Sequence, residues 1–334
     1  MVRDGAGGRV RLLASHRDPA APVLAAADEA FAEPDLDRRA DPDGYAGWCI
    51  DQCAARGIDL FVAQNGRFDL ADRAADFARV GTRLAVPADR ATLELIEDKG
   101  RFHAAATDHG LPTPWTREIH DAPSFDAALA EAAALGHEPC VKPPHGVFAA
   151  GFWRLDPAVP LFATLMNPDA HRIAPAALRA AIADAPDPVR LLVLQHLPGA
   201  EWSVDLVADA GTTLVAVARR KLARAQRLEA DGPAIDIARD AVRAFGLSGL
   251  VNVQLKAATA DDRDPRILEI NTRMSGACRY TEHAGVNLPW IQIGTLLGLV
   301  DRAAIPHPTG GALVAPVTIP ERLPDPEAKA AAHA

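Results

Sequence analysis

Three oxygen-bearing side chains alternate on two neighbouring stretches that both have the pattern of strands. Gln254 lies in Val251-Asn-Val-Gln-Leu-Lys256, and Glu269 and Asn271 lie in Ile267-Leu-Glu-Ile-Asn271. A charged turn between the stretches predicts a hairpin, and residues two apart on a strand point to the same face, so the three side chains are expected to converge. Carboxylate and amide oxygens are ligands that Mg²⁺ takes, usually together with substrate phosphates. The spacing therefore predicts a magnesium site, although an ordinary exposed hairpin face would show the same residues.

Arg273 extends this pattern, because it lies two positions beyond Asn271 and is expected to point to the same side. A guanidinium holds a phosphate or a carboxylate through two parallel hydrogen bonds. The metal and the anion bound to it would then share one face of the sheet.

Four further motifs precede this hairpin in the chain. They are Asp98-Lys99, Val141-Lys-Pro143, Leu194-Gln-His-Leu-Pro-Gly199 and Glu201-Trp-Ser-Val-Asp205. In order and approximate spacing, these motifs and the hairpin resemble the ATP-grasp enzymes, and most closely their carbamoyl-phosphate-synthase-like branch. The resemblance covers about residues 96–300.

The resemblance implies an ATP-grasp fold, in which two α+β subdomains clamp ATP and a preceding parallel α/β domain helps to form the acceptor site. It implies that two lysines contact phosphate, that the backbone of a hinge reads the adenine edge, that an acid contacts the ribose, and that a serine-glycine pair lies where the γ-phosphate meets the acceptor. The residues for these roles are, in that order, Lys99 and Lys142, then Gln195, His196 and Leu197, then Glu201, and finally Ser275 and Gly276.

The resemblance also assigns the metal ligands and the catalytic residues. Gln254, Glu269 and Asn271 match the metal ligands, with Mg²⁺ as the expected ion and Mn²⁺ as an alternative. Arg273 is expected to orient the acceptor carboxylate, Glu269 to bridge metal ions, and Lys142 to act with them in catalysis. These roles agree with the chemistry, because phosphoryl transfer is catalysed mostly by positioning and charge neutralisation.

Lysine is scarce in this chain, with five lysines among 35 basic residues. A lysine is a compact point charge, and Lys142 at the end of a predicted buried strand suits a phosphate better than solvent. Lys256 and Lys329 are expected to be surface cations. The sequence leaves open whether three clustered basic residues face the triphosphate or acceptor, or face the solvent. They are Arg219, Arg220 and Lys221.

The phosphate-covering loop departs from the family pattern. Such loops are usually rich in glycine, because backbone amides must approach the phosphates closely. Here the loop runs from Pro143 to Gly151 with two alanines in its second half, Ala149 and Ala150. Either nucleotide binding is weakened, or the site is closed by His145 and Phe148 instead.

The hinge also departs from the family pattern. Gln195 stands where the family more often has glutamate, and His196 where an aromatic residue is common. Backbone recognition of adenine survives both changes, whereas a side-chain contact to the adenine amino group is left open. A catalytic base is an alternative role for His196, and a place beside the acceptor is an alternative to an ordinary loop position for His283.

The pattern of predicted elements divides the chain into four parts. Alternating strands and helices predict a parallel α/β domain at 1–95. The phosphate-covering loop belongs to a subdomain at 96–194, the metal and nucleotide residues to one at 195–310, and a tail follows at 311–334.

The N-terminal domain is expected to lack one strand and its helix. Its first predicted strand is Val10 to Ala14, which leaves room for few residues ahead of it. The glycine-rich stretch Gly5-Ala-Gly-Gly8 precedes this strand instead of following it, which argues against a dinucleotide-binding turn.

Composition excludes several classes of protein. The chain has 334 residues, a formal net charge of −9 and no dense block of basic residues, so nucleic-acid and anionic-membrane surfaces are not expected. No apolar run reaches the length of a membrane span and the N-terminus lacks a signal-peptide core, so a cytoplasmic location is predicted. Four dispersed cysteines do not suit a disulfide scaffold.

The sequence leads to three functional hypotheses. The first is an ATP-dependent carboxylate-amine or carboxylate-thiol ligase that forms an acyl phosphate on a small carboxylate such as an amino acid and releases ADP and phosphate. The second is an ATP-binding regulatory module with weak or no activity, and the third is a kinase for a non-carboxylate acceptor. The expected partners are a small carboxylate and an amine-type nucleophile, and a homodimer is compatible with the resemblance.

Overall fold

The N-terminal part contains two pairs of parallel strands rather than one continuous sheet. The computed structural model describes residues 1–36, 41–146 and 150–318. Within this range the first strand pairs with the second, and the third with the fourth. The elements are α1 (Val2–Ala6), β1 (Leu13–His16), a 3₁₀ turn (Pro22–Ala26), β2 (Glu29–Ala32), α2 (Pro42–Arg56), β3 (Leu60–Val62), α3 (Arg67–Ala71), α4 (Ala74–Arg79) and β4 (Arg83–Ala85).

Parallel pairing agrees with the predicted α/β pattern, although several bounds differ. The first strand begins at Leu13 rather than Val10. Two short helices, α3 and α4, lie between β3 and β4. Among the described residues, β1 has a hydrogen-bonded neighbour on one side, β2.

Two helices follow and carry the first predicted phosphate ligand. They are α5 (Arg90–Glu97) and α6 (Lys99–Asp108). Asp98 separates them, since its backbone is extended and its carboxylate accepts hydrogen bonds of 3.0 Å from the amides of Gly100 and Arg101. This cap satisfies free amides at the start of α6 and fixes Lys99 as the first residue of that helix.

A five-stranded sheet forms the next unit, in the order β5-β9-β6-β7-β8. One face packs against α7 and α9 through Ile119, Phe125, Val141 and Ile182, and the other presents Cys140, Phe152 and Leu194 to a cavity. The elements are β5 (Thr116–Ile119), α7 (Ala122–Ala134), β6 (Pro139–Lys142), β7 (Trp153–Leu155), α8 (Leu161–Met166), a 3₁₀ turn (Pro168–Ala170), β8 (Arg172–Ile173), α9 (Pro175–Ala183) and β9 (Leu191–Gln195).

A six-stranded antiparallel sheet forms the last unit, in the order β14-β13-β10-β11-β12-β15. The hairpin predicted to carry the metal ligands is confirmed as β13 and β14. The strands β12 and β15 were not expected, and β15 brings the start of the predicted tail into this sheet. The elements are β10 (Glu201–Asp209), β11 (Thr212–Lys221), β12 (Gln226–Glu229), α10 (Pro233–Ala244), β13 (Gly249–Ala257), β14 (Pro265–Asn271), a 3₁₀ helix (Cys278–Ala284), α11 (Leu288–Leu296), a second 3₁₀ turn (Arg302–Ala304) and β15 (Leu313–Val314).

The two faces of this sheet have different partners. Side chains such as Val204, Val253 and Ile270 pack against α10 and α6 in the largest core cluster. On the opposite face, Val207 and Leu250 pack with residues 278–291. Another part of that face is polar and carries Asn252, Gln254 and Glu269. The polar part of this face faces the five-stranded sheet and forms the candidate site.

No helix in the described ranges is long and apolar enough to cross a membrane. All four cysteines are buried.

Candidate functional site

A cavity of about 440 Å³ lies between the five-stranded sheet and the polar face of the six-stranded sheet. Its volume lies in the range of small-molecule sites. Eight of the residues that the sequence assigns to nucleotide or metal contribute to its wall: Lys99, Lys142, Gln195, His196, Leu197, Glu201, Gln254 and Glu269. These residues come from five separate stretches of the chain, and the fold brings them together.

The predicted metal ligands occupy adjacent positions on β13 and β14. Gln254 lies directly opposite Glu269, and Asn271 lies opposite Asn252. The Asn271 Nδ2 donates to Glu269 Oε1 at 3.3 Å. Asn252, which the sequence reasoning did not single out, accepts from Asn271 at 3.4 Å and donates to Asp205 at 2.8 Å. Its position two residues before Gln254 is the signal that would have identified it.

The donor set fits a hard cation that also binds phosphate. No cluster of three or more His, Cys, Asp or Glu side chains suited to a metal occurs in the described residues. The predicted face instead offers one carboxylate, Glu269, and two amides, Gln254 and Asn271. Mg²⁺ commonly takes one or two protein carboxylates and completes its shell with water and substrate phosphates. Such a set is too weakly charged to hold the ion without the nucleotide.

The two predicted phosphate lysines approach this face from opposite sides. Lys99 Nζ lies 3.4 Å from Glu269 Oε2 and donates to the Gly146 carbonyl in the phosphate-covering loop at 3.0 Å. Lys142 extends from the end of β6 into the same cavity. Burial and the charge of Lys99 lower the pKa of Lys142 to about 8, while Glu269 opposes this shift. The ammonium groups of Lys99 and Lys142 and the carboxylate of Glu269 therefore lie close together in this cavity.

A buried ion pair lies next to the predicted metal ligands on the same face of the sheet. Arg219 Nε donates to Asp205 Oδ2 at 2.7 Å, and its Nη2 donates to Ser275 Oγ at 3.0 Å. Asp205 and Arg219 are both essentially inaccessible to solvent. Asp205 lies opposite Asn252, on the same face of the sheet as the predicted metal ligands. Arg219 thus connects this face to the loop that follows β14 and positions that loop.

The two basic residues after Arg219 lie elsewhere. Arg220 pairs with Asp262 and stacks over Trp202, on the sheet face away from the cavity. Lys221 pairs with Glu201, the residue predicted to contact the ribose. The three clustered residues Arg219, Arg220 and Lys221 therefore do not all face the predicted triphosphate position.

The hinge residues Gln195 and His196 line the cavity, and each has a buried polar side-chain atom. Gln195 Oε1 and His196 Nδ1 are buried and have no hydrogen-bond partner among the described residues. Burial, together with Arg154 and Lys256, lowers the pKa of His196 to about 4. His196 is therefore neutral near pH 7 and can act there as a hydrogen-bonding group. The His196 amide donates to the Glu138 carbonyl at 2.7 Å, so this amide is already hydrogen-bonded within the protein.

The phosphate-covering loop is attached to the start of α6. The Lys99 amide donates to the Pro144 carbonyl at 3.1 Å, and His145 Nε2 lies 3.5 Å from Asp98 Oδ2. Asp98 also accepts from Arg190 at 2.6 Å. Phe148, which was predicted to help close the site, lies outside the described residues, and so does Ala149.

A buried histidine that the sequence reasoning missed supports β14 behind the metal face. His103 Nε2 donates to the Leu268 carbonyl at 3.0 Å, and Nδ1 accepts from the Thr116 hydroxyl at 2.9 Å. Burial, helped by the charge of Lys142, lowers the pKa of His103 to about 3. The neutral ring fixes the backbone next to Glu269.

Five residues that the sequence assigned to the site or considered for it lie outside the walls of the large cavity: Asn271, Arg273, Ser275, Gly276 and His283. Ser275 and Gly276 follow β14, where Ser275 bonds to Arg219. Arg273 lines a second, smaller cavity between the six-stranded sheet and the N-terminal strands. His283 is exposed in the 3₁₀ helix Cys278–Ala284. The structure therefore groups the nucleotide and metal residues and places Arg273 at the next cavity along β14.

Comparison with known proteins agrees with this geometry. Residues 187–320 match a family model described as ATP-grasp in the biosynthetic pathway with Ter operon. No curated protein matches the sequence significantly.

Several solved structures share the fold at low sequence identity. An L-amino acid ligase from Bacillus licheniformis has a TM-score of 0.60 and 16% identity, covering 90% of this chain and 72% of that one. The biotin carboxylase domain of Hydrogenobacter thermophilus 2-oxoglutarate carboxylase, solved with ADP and magnesium, has a TM-score of 0.60, 17% identity and coverage of 89% and 66%.

A third similar structure is the N5-carboxyaminoimidazole synthetase from Staphylococcus aureus, with a TM-score of 0.63, 12% identity and coverage of 92% and 75%. The resemblance of the sequence motifs, the family-model match and the fold agree with one another. The chain has the ATP-grasp fold, and its residues 187–320 match an ATP-grasp family model.

Proposed function

We propose that the protein is an ATP-dependent ligase that joins a small carboxylate, such as an amino acid, to an amine or thiol nucleophile through an acyl phosphate. The observation that carries this proposal is the convergence of Lys99, Lys142, Gln254 and Glu269 on one cavity, with Arg273 on the strand extension beside it. A carboxylate oxygen attacks the γ-phosphorus and ADP leaves. The nucleophile then attacks the acyl carbon, and phosphate leaves.

The two lysines neutralise the phosphates of ATP in this proposal. Lys142 has a pKa of about 8 and is mostly protonated at neutral pH, while Lys99 already contacts a carbonyl and a carboxylate on the two sides of the cavity. Charge stabilisation of this kind is a main source of catalysis in phosphoryl transfer. Both lysines are therefore expected to contribute to turnover as well as to binding.

Glu269, Gln254 and Asn271 would hold the divalent cation. A bound Mg²⁺ neutralises the charge that develops on the transferring phosphoryl group. The chain's own contribution is to hold these three oxygens in register, through the direct pairing of Gln254 with Glu269 and the hydrogen bond from Asn271 to Glu269.

Arg273 would orient the acceptor carboxylate. In the structure its guanidinium donates to the Met274 carbonyl at 3.3 Å, a weak contact that an anion can replace. It lies two residues beyond Asn271, so at most about 7 Å of chain separates it from the metal face.

The structural neighbours support a ligase of this general class. One of them is an L-amino acid ligase, and two are a biotin carboxylase domain and a carboxyaminoimidazole synthetase. The first of these supports an amino acid as the carboxylate substrate. The low identities leave the acceptor to experiment.

An acceptor screen tests the proposal. ADP release is measured with Mg-ATP and a panel of small acids, with hydroxylamine as the nucleophile, and the products are analysed for acyl hydroxamates. Acid-dependent ADP release with hydroxamate formation is expected. ATP binding without turnover would favour the regulatory module, and a phosphorylated acceptor without hydroxamate would favour a kinase.

A further inference from the structure

The short helix α8 turns its apolar side chains toward solvent. Four large apolar residues on this helix are between 52% and 73% exposed: Leu161, Phe162, Leu165 and Met166. They are related by steps of one and four residues, so they form one continuous face, called here the α8 face. Thr164 lies on the opposite side of the helix, where it is buried and its hydroxyl donates to the Arg172 carbonyl at 2.9 Å. A surface helix normally buries its apolar face, and in α8 this arrangement is inverted.

Large exposed apolar side chains are concentrated on α8. In the part of the chain that the structure describes, seven others are exposed, and no two of them are adjacent in sequence: Val23, Leu135, Leu222, Met274, Leu299, Leu313 and Val317. Single exposed apolar residues are normal on a protein surface, whereas a contiguous patch marks a site of interaction. The α8 face therefore stands out as an interaction surface.

The α8 face is held in a fixed position before any partner binds. Pro160 precedes the helix, and Pro168 begins the 3₁₀ turn that follows it. The hydroxyl of Thr164 ties the helix to the start of β8. A surface that is already ordered loses little conformational entropy on binding, so most of the free energy gained by burying its apolar area is retained.

The segment that contains the α8 face is uncharged. Residues 157–168 include no Asp, Glu, Lys, Arg or His, although the whole chain has a net charge of −9. Two copies of the chain repel each other through their net charge, and this stretch lets them meet without bringing like charges together. Asp156 and Asp169 flank the segment, which disfavours an anionic membrane, because helices that lie on membranes are rich in Lys and Arg.

The apolar positions of α8 are symmetric about the middle of the helix. The midpoint lies between residues 163 and 164, with Phe162 and Leu165 at equal distances from it, and Leu161 and Met166 at equal, larger distances. A two-fold axis through this point brings Phe162 of one copy against Leu165 of the other, and Leu161 against Met166. An interface between identical copies requires a patch that is complementary to itself, and the α8 face has this property.

The area of the α8 face suits a reversible dimer. A fully exposed side chain of this size presents about 150–200 Å², so at their observed exposures the four side chains present about 450 Å². Two copies packed face to face would bury about 900 Å² from these side chains alone, close to the roughly 1,000 Å² of a specific interface. Pro157, Ala158 and Pro160 are also exposed and extend the contact.

We propose that α8 is a homodimer interface, in which two copies of the chain pack their α8 faces together about a two-fold axis. The four side chains lie outside the walls of the large cavity. The inference is therefore independent of the proposed ligase activity, and binding of an ATP analogue is expected to be unaffected by substitutions in the α8 face.

Sedimentation velocity of the full chain at increasing concentration tests the interface. We expect a reversible dimer with a dissociation constant in the range of about 1–100 µM. Leu165→Glu would bury an unpaired carboxylate against the second copy and is expected to weaken the dimer at least about 100-fold. Leu135→Glu is the matched control, since Leu135 is 53% exposed at the end of α7, and it is expected to leave the dimer unchanged.

A pair of complementary variants tests the two-fold arrangement. Phe162→Lys alone is expected to prevent the dimer, as Leu165→Glu does. Mixed in equal amounts, the two variants are expected to form a heterodimer. The introduced ammonium group then faces the introduced carboxylate, and the other contact between Phe162 and Leu165 is intact. Thermal unfolding of each variant at the temperature of the unaltered chain would show that a lost dimer is not a lost fold.

The remaining outcomes contradict the inference. A monomer over the whole concentration range, or a dimer that Leu165→Glu leaves unchanged, would overturn the interface. Failure of the mixed variants to associate would overturn the two-fold packing of α8 against α8. A chain that stays monomeric and binds vesicles of anionic lipid would replace the second copy with a membrane surface as the partner of α8.

Discussion

Lys99 and Glu269 form an ion pair across the large cavity, with 3.4 Å between Nζ and Oε2. This contact connects the first residue of α6 to the strand that carries the predicted metal ligands. Lys99 also donates to the Gly146 carbonyl in the phosphate-covering loop. The ammonium group therefore connects three parts of the site, and the binding of a nucleotide with its metal is expected to replace some of these contacts.

The charge of Glu269 is expected to be essential for turnover. Glu269→Gln keeps the size of the side chain and removes the negative charge that would hold the cation, so we expect ADP release to fall at least about 100-fold. The change in stability is expected to be about 1 kcal/mol, because the amide oxygen of glutamine can still accept a hydrogen bond from Lys99. Steady-state ADP release and thermal unfolding measure the two effects. Glu94→Gln, an exposed position on α5, is the control, and equal rates for the two variants would contradict the metal assignment.

The affinity for ATP is expected to depend on pH through Lys142. Its pKa is lowered to about 8 by burial and by Lys99, compared with about 10.4 for a free lysine. The protonated form binds phosphate, so kcat/KM for ATP is expected to fall as pH rises through about 8.

Lys142→Arg provides the control for this profile. A guanidinium remains charged over the whole range, so the fall near pH 8 is expected to disappear even if the absolute rate is lower. A profile of kcat/KM for ATP that is flat up to pH 10 in the unaltered enzyme would show that Lys142 does not contact the phosphates.

The buried pair of Asp205 and Arg219 is expected to matter for stability. Arg219→Met leaves the carboxylate of Asp205 buried and unpaired, which costs about 3–5 kcal/mol in comparable cases. Urea unfolding measures the loss. Arg239→Met breaks the exposed pair with Asp236 and is expected to cost less than about 1 kcal/mol. A similar loss for the two variants would show that Arg219 is not a structural support of the site.

Stability is expected to fall with acid because of His103. Its pKa is about 3 in the folded chain and near 6.5 when unfolded, so between these values the unfolded state binds more protons. The free energy of unfolding therefore decreases as pH is lowered through this window, by at most about 1.4 kcal/mol per pH unit from this residue. Urea unfolding at pH 7, 6 and 5 measures the slope. His103→Gln is expected to make the slope shallower, and an unchanged slope would contradict this assignment.

The metal face was the most predictable part of the site. Alternation with a period of two places Gln254, Glu269 and Asn271 on one side of a hairpin whatever the rest of the fold does, and the observed register agrees. Asn252 obeys the same rule.

Other features depend on contacts between distant segments and carry no local signal. The break between α3 and α4 at Asp72 and Arg73 contains neither glycine nor proline. The short strand β12 has a largely polar sequence and is defined by its pairing with β11 and β15.

The second cavity was also beyond sequence reasoning. Its walls come from the N-terminal strands, the start of β13, the residues after β14 and α11, and nothing in the sequence relates these stretches. Arg273 was expected on the same face as the metal ligands, whereas the structure places it at this second cavity. The residue types predicted the chemistry of Arg273, and the fold determined which space it faces.

The transfer of oxygen from the acceptor to phosphate tests the central claim most directly. An acid that supports ADP release is supplied with ¹⁸O in its carboxylate, and the inorganic phosphate formed with hydroxylamine is analysed by mass spectrometry. An acyl-phosphate mechanism predicts that each phosphate released carries one oxygen from the acid. Release of ADP with unlabelled phosphate would contradict the proposed ligase.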